Sequence, residues 1–464
     1  MSPTAADIFG TAVFAVAVAH TFLVKRFEHL AKRFRHGSVG ENAMHLLAEV
    51  EIVFGLWSAV LIGGLAAFHG WGSARTYLES RNFAEPVFVV AIMVMAASTP
   101  ITSLAGKVLA FVARLLPLPR AMATFIVVLT FGPLLGSFIT EPAAMTLTAL
   151  LMKRDFFDAN VSTRFRYAAI GALFVNVSVG GTLTHFAAPP ILIVAERFGW
   201  DTWFVLSHIG WKGALSGLVT SVGIALLSRR ARARPTIGSE QAAPRVAAKA
   251  ADAEAAKGGL SSADHGEGAD VEADHATSRE EPSRVMPSPL WVALVHIGFI
   301  AFIVWNSHHP ILVAGALLFF LGWARASSEY QEPLRVREGL LVGFFLGGLV
   351  VLGGRQEWWL SETISRLTPL PMFSGATALT AITDNAALTY LGSLAPLDPA
   401  QKLALVTGAV TGGGLTVIAN APNPAGFQIL RGSFGDEGIS PLGLFLGALG
   451  PTAVAAVIMY LIPW

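Results

Sequence analysis

Two acidic residues lie in stretches of the sequence that are otherwise suited to a lipid bilayer. Glu141 belongs to GSFITEPAA and Asp384 to AITDNAALTYLG, and a threonine precedes each of them (Thr140 and Thr383). A carboxylate at membrane depth is costly and is functional by default. Without water around it, a carboxylate favours its protonated form, so it can exchange a proton for a cation. Hard cations such as Na⁺ bind carboxylate, carbonyl, amide and hydroxyl oxygens.

Further oxygen donors lie in two similar segments that contain glycine and proline. GGTLTHFAAPP (180–190) and GGGLTVIANAP (412–422) share residues at an offset of 232: Gly180/Gly412, Gly181/Gly413, Leu183/Leu415, Thr184/Thr416, Ala187/Ala419 and Pro190/Pro422. Glycine lets the backbone turn and approach closely, and proline ends helices. We expect Na⁺ to bind Glu141, Asp384 and Asn385, with further ligands from Thr140, Thr383, Thr184, Thr416, Asn420 and Asn423. Backbone breaks are expected at Gly180, Gly181, Gly412, Gly413 and Gly414.

Simpler roles are also open for these residues. Glu141 and Asp384 could serve only as helix caps, because an acid near the start of a helix interacts favourably with the helix dipole. Lys212 lies within an apolar segment and could pair with one of the two acids or extend toward the outer membrane surface. His185 could relay protons or be a hydrogen-bonded structural residue.

The composition predicts a membrane protein with many spans. Of the 464 residues, 53% are hydrophobic and 14% are charged, whereas soluble domains carry roughly 25% charged residues. Residues 229–284 hold 19 of the charged residues, so the rest of the chain is still more apolar. The net charge of +1 does not suggest nucleic-acid binding, and the lack of cysteine excludes thiol nucleophiles and thiolate metal sites. We expect neither an enzyme nor a cofactor.

Apolar segments near the roughly 20 residues that a helical span needs define the elements. Residues 121–152 are too long for one span, 167–198 and 402–430 are interrupted by glycine and proline, and 371–395 carries Asp384 near its middle. Residues 229–289 are expected to form a disordered charged linker, with a small helical cap as the alternative. The regular predicted spans are 6–24, 48–70, 86–105, 203–228, 290–305, 310–324, 339–354 and 440–462.

The positions of lysine and arginine predict the orientation of these spans. With the N-terminus outside and the linker in the cytoplasm, the inside loops hold 16 Lys and Arg residues and the outside loops at most six. This bias requires 121–152 to return to its side of entry, as a re-entrant hairpin or as two short spans. Residues 1–228 and 290–464 then each contain three spans, a hairpin, a broken helix and a final span. The two repeats are inverted, which is typical of secondary transporters with a midplane site.

Four segments resemble the paired motifs of the ion transporter superfamily: FITEPAAMTLTALLM (138–152), NVSVGGTLTHFAAPPILIV (176–194), AITDNAALTYLG (381–392) and GGGLTVIANAPNPAG (412–426). This superfamily includes arsenite permeases, dicarboxylate and citrate carriers and D-type sodium/proton antiporters, and the chain is most similar to families described as Na⁺/H⁺ antiporters. The resemblance implies a scaffold domain, a transport domain that moves as an elevator, and a homodimer. One departure is Glu141-Pro142, which replaces the Asp-Asn pair usual at the first tip of the sodium/proton branch.

The sequence therefore predicts a cation/proton antiporter of a bacterial-type inner membrane, with Na⁺ and H⁺ as its transported ions. One alternative is a proton- or sodium-coupled carrier of an anion, such as a dicarboxylate or arsenite, because helix N-termini at the midplane suit anions. A channel is a second alternative. A third is a scaffold or receptor without transport activity, whose linker (229–289) binds an unidentified partner.

Overall fold

The chain is helical throughout the part that the structure describes. This computed structural model describes residues 3–157, 161–227, 286–435 and 438–463, in which no strand occurs. Residues 229–285 of the linker predicted over 229–289 lie outside the described residues.

The described part of the first half contains twelve α-helices. They are α1 (Ala5–Ala31), α2 (Val39–Leu47), α3 (Val50–His69), α4 (Trp71–Glu79), α5 (Ala84–Ala96), α6 (Thr99–Leu115), α7 (Arg120–Ile139), α8 (Glu141–Met152), α9 (Thr163–Gly180), α10 (Pro189–Phe198), α11 (Thr202–Val205) and α12 (Trp211–Leu227). A π-helical turn, Leu206–Gly210, joins α11 to α12.

The described part of the second half contains nine. They are α13 (Leu290–Trp305), α14 (Pro310–Ala326), α15 (Val336–Gly353), α16 (Glu357–Ile364), α17 (Pro369–Thr380), α18 (Asn385–Ser393), α19 (Pro399–Gly412), α20 (Asn423–Arg431) and α21 (Pro441–Ala456). A π-helical segment, Val457–Leu461, continues α21.

Six of the described helices are long and apolar enough to cross a membrane, in keeping with an integral membrane protein. They lie in α1, α3, α7, the continuous α11–α12 segment, α15, and α21 with its continuation. The shorter helices α13 and α14 are also apolar. Because α7 is itself long enough to cross, its length does not require a re-entrant path.

The span predicted over 86–105 is not a single helix. It consists of α5 and α6, which meet at an angle of 66° across a short break. Pro100 lies at the start of α6, where its missing N–H is not needed, and a proline at this place prevents α5 from continuing.

The helices pack around clusters of buried apolar residues, and the largest cluster includes residues of α3, α9, α15 and α21 together. In one part of the fold α3 and α5 pack against α15, and Gly348 of α15 lies against the backbone of Phe54 in α3. In another part α7 packs against α8 and α9, and α9 packs against α21, where Gly171 approaches the backbone of Gly447. A smaller cluster, which includes Ile101 and Ala144, joins α6 to α7 and α8.

Four breaks in the helices lie among buried residues. Thr140 separates α7 from α8, and residues 181–188 separate α9 from α10. Residues 381–384 separate α17 from α18, and residues 413–422 separate α19 from α20. Buried helix ends leave N–H and C=O groups that need partners, so these breaks concentrate polar groups within an apolar bundle.

Candidate functional site

The break between α7 and α8 presents a fully buried carboxylate. Thr140 is the one described non-glycine residue with a positive φ (70°), a conformation that costs about 1–3 kcal/mol and is often found at functional sites. Glu141 follows as the first residue of α8 and is 0% exposed. Its Oε2 accepts a hydrogen bond of 2.9 Å from Nδ2 of Asn420, which lies in the break before α20. The carboxylate of the first half therefore meets an amide of the second.

The lack of a side chain at Gly181 makes room for the carboxylate of Glu141. A Cβ atom built on Gly181 would be 2.5 Å from Oε1 of Glu141 and 2.7 Å from its Cγ. These distances are shorter than van der Waals contact, so only glycine fits beside Glu141 in this arrangement.

Ser137 connects the end of α7 to the break after α9 through hydrogen bonds. Its hydroxyl donates to the carbonyl of Gly180 (2.8 Å) and accepts from the backbone N–H of Leu183 (2.9 Å). The hydroxyl of Thr184 in turn donates to the carbonyl of Ser137 (2.7 Å). These bonds satisfy backbone groups that the break exposes, and they fix Glu141 relative to Gly181.

The break between α17 and α18 is built differently. Asp384 is only partly buried and is the N-cap of α18, where its Oδ1 accepts from the backbone N–H groups of Ala386 and Ala387 (2.9 and 3.0 Å). Thr383 precedes it and donates instead to the carbonyl of Leu379 (2.8 Å).

Asn385 is the first residue of α18 and is fully buried. Its backbone N–H donates to the carbonyl of Ala419 (3.1 Å), which ties α18 to the break before α20. A Cβ built on Gly413 would lie 2.9 Å from Nδ2 of Asn385 and would overlap Oγ of Ser178. Gly413 therefore stands beside Asn385 as Gly181 stands beside Glu141.

Side chains from the break before α20 donate hydrogen bonds to backbone carbonyls. Thr416 donates to the carbonyl of Ala381 (2.8 Å). Asn423 donates through Nδ2 to the carbonyls of Gly413 and Thr416 (2.7 and 2.8 Å). Its side-chain oxygen remains available to other groups.

Several buried oxygens around these breaks have no hydrogen-bond partner among the described residues. They are Glu141 Oε1, Thr140 Oγ1, Thr380 Oγ1, Asn385 Oδ1, Asn420 Oδ1 and Asn423 Oδ1. Buried polar atoms in native proteins are rarely left without a partner. Carboxylate, amide and hydroxyl oxygens are the ligands that hard cations take. No three His, Asp or Glu side chains within the described ranges form a metal-binding group, so a cation here would rely on neutral oxygens besides Glu141.

Two other predicted residues lie in different surroundings. Lys212 is buried, and its Nζ donates to the carbonyls of Ile462 (2.6 Å) and Met459 (3.4 Å) at the end of the last helix. These bonds suit a lysine beside a helix C-terminus. Nδ1 of His185 is 2.6 Å from the hydroxyl of Thr202, a contact that fits the structural alternative for this histidine.

Two serines with important contacts were not predicted from the sequence. Ser137 has the contacts described above, and Ser178 donates to the carbonyl of Val410 where α9 crosses α19 (2.7 Å). A signal for Ser178 did exist, because Ser178 and Val410 are separated by 232 residues, the offset between the two similar segments.

A comparison with protein families finds one match across nearly the whole chain. Residues 5–462 match the model of a family described as "Putative Na+/H+ antiporter". No curated protein matches the chain.

Proposed function

The chain belongs to the family described as "Putative Na+/H+ antiporter", and from this premise we propose that it binds Na⁺ at Glu141 and exchanges it for a proton. The protein is thus an integral membrane antiporter, and a transporter family is not an enzyme class. The family favours cation/proton exchange over the anion carrier that the sequence left open.

The observation that carries this proposal is the environment of Glu141. The carboxylate is fully buried, one oxygen is bound by the neutral amide of Asn420, and the other has no hydrogen-bond partner among the described residues. Burying an unpaired charge is expensive. Glu141 therefore needs either a proton or a cation, and it can bind only one of them at a time.

The neighbouring oxygens supply the remaining ligands in this proposal. Asn420 can offer its free Oδ1 beside the carboxylate, and Thr140 can offer its hydroxyl. Asn385 and Asn423 have free oxygens in the adjoining break. Asp384 precedes Asn385, whose N–H donates to the carbonyl of Ala419 beside Asn420, and its negative charge would attract a cation to this region.

Inverted repeats are part of the proposal and are supported by matching contacts. Gly181 lies beside Glu141, and Gly413 lies beside Asn385. Thr184 donates to a carbonyl near the end of α7, and Thr416 donates to one just after α17. Repeats of this kind place a site between two half-structures that can alternate its access.

The proposed transport mechanism requires one domain to move against another within the membrane. We assign α1–α6 and α13–α16 to a scaffold, and α7–α12 and α17–α21 to a transport domain that moves against it. The proposed transporter is a homodimer in an inner membrane of the bacterial type, with its N-terminus outside and the linker in the cytoplasm. The distribution of lysine and arginine supports this orientation.

Proteoliposomes test the proposed exchange directly. The purified protein is reconstituted with an imposed pH gradient, and NaCl is added while an internal pH dye is recorded. The parent should dissipate the gradient, whereas Glu141→Gln should not. Glu362→Gln is the matched control, because Glu362 is exposed and pairs with Arg366 on the surface (3.0 Å). The proposal fails if the parent does not respond to Na⁺, or if Glu141→Gln behaves like Glu362→Gln.

A further inference from the structure

A cavity apart from the ion site lies at the corner where α6 ends and α7 begins. Its volume is about 250 Å³, many times the roughly 10–15 Å³ that one water molecule needs. Arg114 and Arg120 line this cavity together with apolar residues, which include Ala110, Leu116 and Leu118. A cavity with both cationic and apolar walls suits a ligand that carries a negative group on an apolar body.

The positive charge of this corner is not balanced by acids of its own two helices. Residues 99–140, which contain α6 and α7, include Lys107, Arg114 and Arg120 but no Asp or Glu. Arg114 is exposed and forms no ion pair with an acid among the described residues. A guanidinium group binds a phosphate through two parallel N–H bonds. An anionic phosphate is therefore the ligand that these side chains favour.

Thr124 adds a buried hydrogen-bond donor to the wall of the cavity. It lies about one turn inside α7, is 1% exposed and lines the cavity. A helical threonine can donate to the carbonyl four residues back, but the Thr124 hydroxyl forms neither this bond nor another one with the described residues. Buried polar groups in native proteins are rarely left without a partner. An acceptor in the cavity, such as a phosphate oxygen, would satisfy this hydroxyl.

The position of the cavity fits the headgroup of a lipid. Helix α7 is long and apolar enough to cross the membrane and begins at Arg120, so the cavity lies at one end of an apolar span. Val108, Phe111 and Leu115 are exposed on α6, and their spacing places them on one face of that helix. This face can contact acyl chains beside the cavity. In the proposed orientation the corner faces the cytoplasm, where anionic lipids are enriched.

We propose that the cavity between α6 and α7 binds the phosphate group of an anionic phospholipid, whose acyl chains lie along α6. Arg114 and Arg120 contact the phosphate oxygens, and Thr124 donates its hydroxyl to one of them. The apolar walls of the cavity contact the glycerol end of the acyl chains. This inference goes beyond the proposed ion exchange and does not depend on it, because none of these residues belongs to the Na⁺ site.

Lipid binding to the purified protein tests this site. The full-length protein in an uncharged detergent is titrated with dioctanoyl-phosphatidylglycerol, and microscale thermophoresis gives the Kd. Arg114→Gln should raise this Kd about fivefold, which is the effect of one arginine at an anionic lipid surface. Arg33→Gln is the matched control, because Arg33 is exposed and lies outside the walls of this cavity. At physiological salt it should change the Kd by less than about twofold, since exposed charges are screened.

A second variant fills the cavity and keeps both arginines. The larger side chain of Ala110→Leu should weaken phosphatidylglycerol binding as much as Arg114→Gln does, and the thermal midpoint without lipid reports whether each variant is folded. The inference is overturned if Arg33→Gln weakens binding as much as Arg114→Gln, or if Ala110→Leu binds like the parent. It is also overturned if dioctanoyl-phosphatidylcholine or inorganic phosphate binds the parent as tightly as phosphatidylglycerol does. Each of these outcomes leaves the proposed Na⁺/H⁺ exchange untouched, since that exchange is measured separately in proteoliposomes.

Discussion

Replacing Gly181 by alanine should move the carboxylate of Glu141 without unfolding the protein. The added Cβ would lie 2.5 Å from Oε1, 2.7 Å from Cγ and 3.0 Å from Cδ of Glu141. These atoms belong to a flexible side chain rather than to backbone, so the side chain can rotate away. The rotation would break the 2.9 Å hydrogen bond from Asn420.

The size of the effect follows from the bond that is lost. A hydrogen bond to a charged group contributes about 1.5–3 kcal/mol. If that energy is lost from Na⁺ binding, the KM for Na⁺ rises about tenfold to about hundredfold, since 1.4 kcal/mol corresponds to tenfold. The same loss should lower the free energy of unfolding by no more than about 3 kcal/mol, which leaves the protein folded.

Na⁺-dependent collapse of a pH gradient in proteoliposomes gives the KM, and thermal unfolding in detergent gives the stability. Gly223→Ala is the matched control, because no atom lies within 4 Å of a Cβ built on Gly223 in α12. The reasoning is refuted if Gly181→Ala and Gly223→Ala have the same KM for Na⁺. It is also refuted if Gly181→Ala unfolds, because the account attributes the effect to one side chain.

Three further predictions concern other contacts. Asn420→Ala removes the donor to Glu141, so the KM for Na⁺ should rise by about tenfold or more, and an unchanged KM in the liposome assay would contradict this. Ser137→Ala leaves two backbone groups without their partner and should lower the free energy of unfolding by about 1–3 kcal/mol, measured as a lower thermal midpoint. The Gly37 N–H and the His36 ring, both bound to the Glu41 carboxylate, lower the pKa of that carboxyl from its ordinary value of 4.5. The bonds to Glu41 should therefore stabilise the fold above pH 4.5, and this stabilisation should be lost as the pH falls further. Hydrogen exchange at the Gly37 amide should be faster in Glu41→Gln than in the parent at neutral pH and equal to it in acid.

Local signals in the sequence indicate where the described helices stop. The Gly-Gly pair at 180–181 lies at the end of α9, and Gly412 ends α19. Pro142 lies in the first turn of α8, where proline is favoured. Such signals depend on the backbone of a few neighbouring residues, so they can be read without knowledge of the tertiary structure.

Contacts between distant segments could not be predicted in the same way. Asn420 and Glu141 are 279 residues apart. The sequence predicted both as ligands of one site, but nothing local in either segment indicates that Asn420 donates a hydrogen bond to Glu141. The bend between α5 and α6 was also missed, because apolar residues continue on both sides of it. Asp384 is the N-cap of α18, a role that the sequence offered and that is compatible with ion binding.

The most direct test of the central claim is the number of protons released when Na⁺ binds. Purified protein in detergent is titrated with NaCl in buffers of different ionisation enthalpy, and the heats give the protons released for each Na⁺ bound. The account predicts about one proton per Na⁺ in the parent, since a single buried carboxylate exchanges the two ions, and none in Glu141→Gln. Sodium binding without proton release in the parent, or the same release in Glu141→Gln, would contradict it.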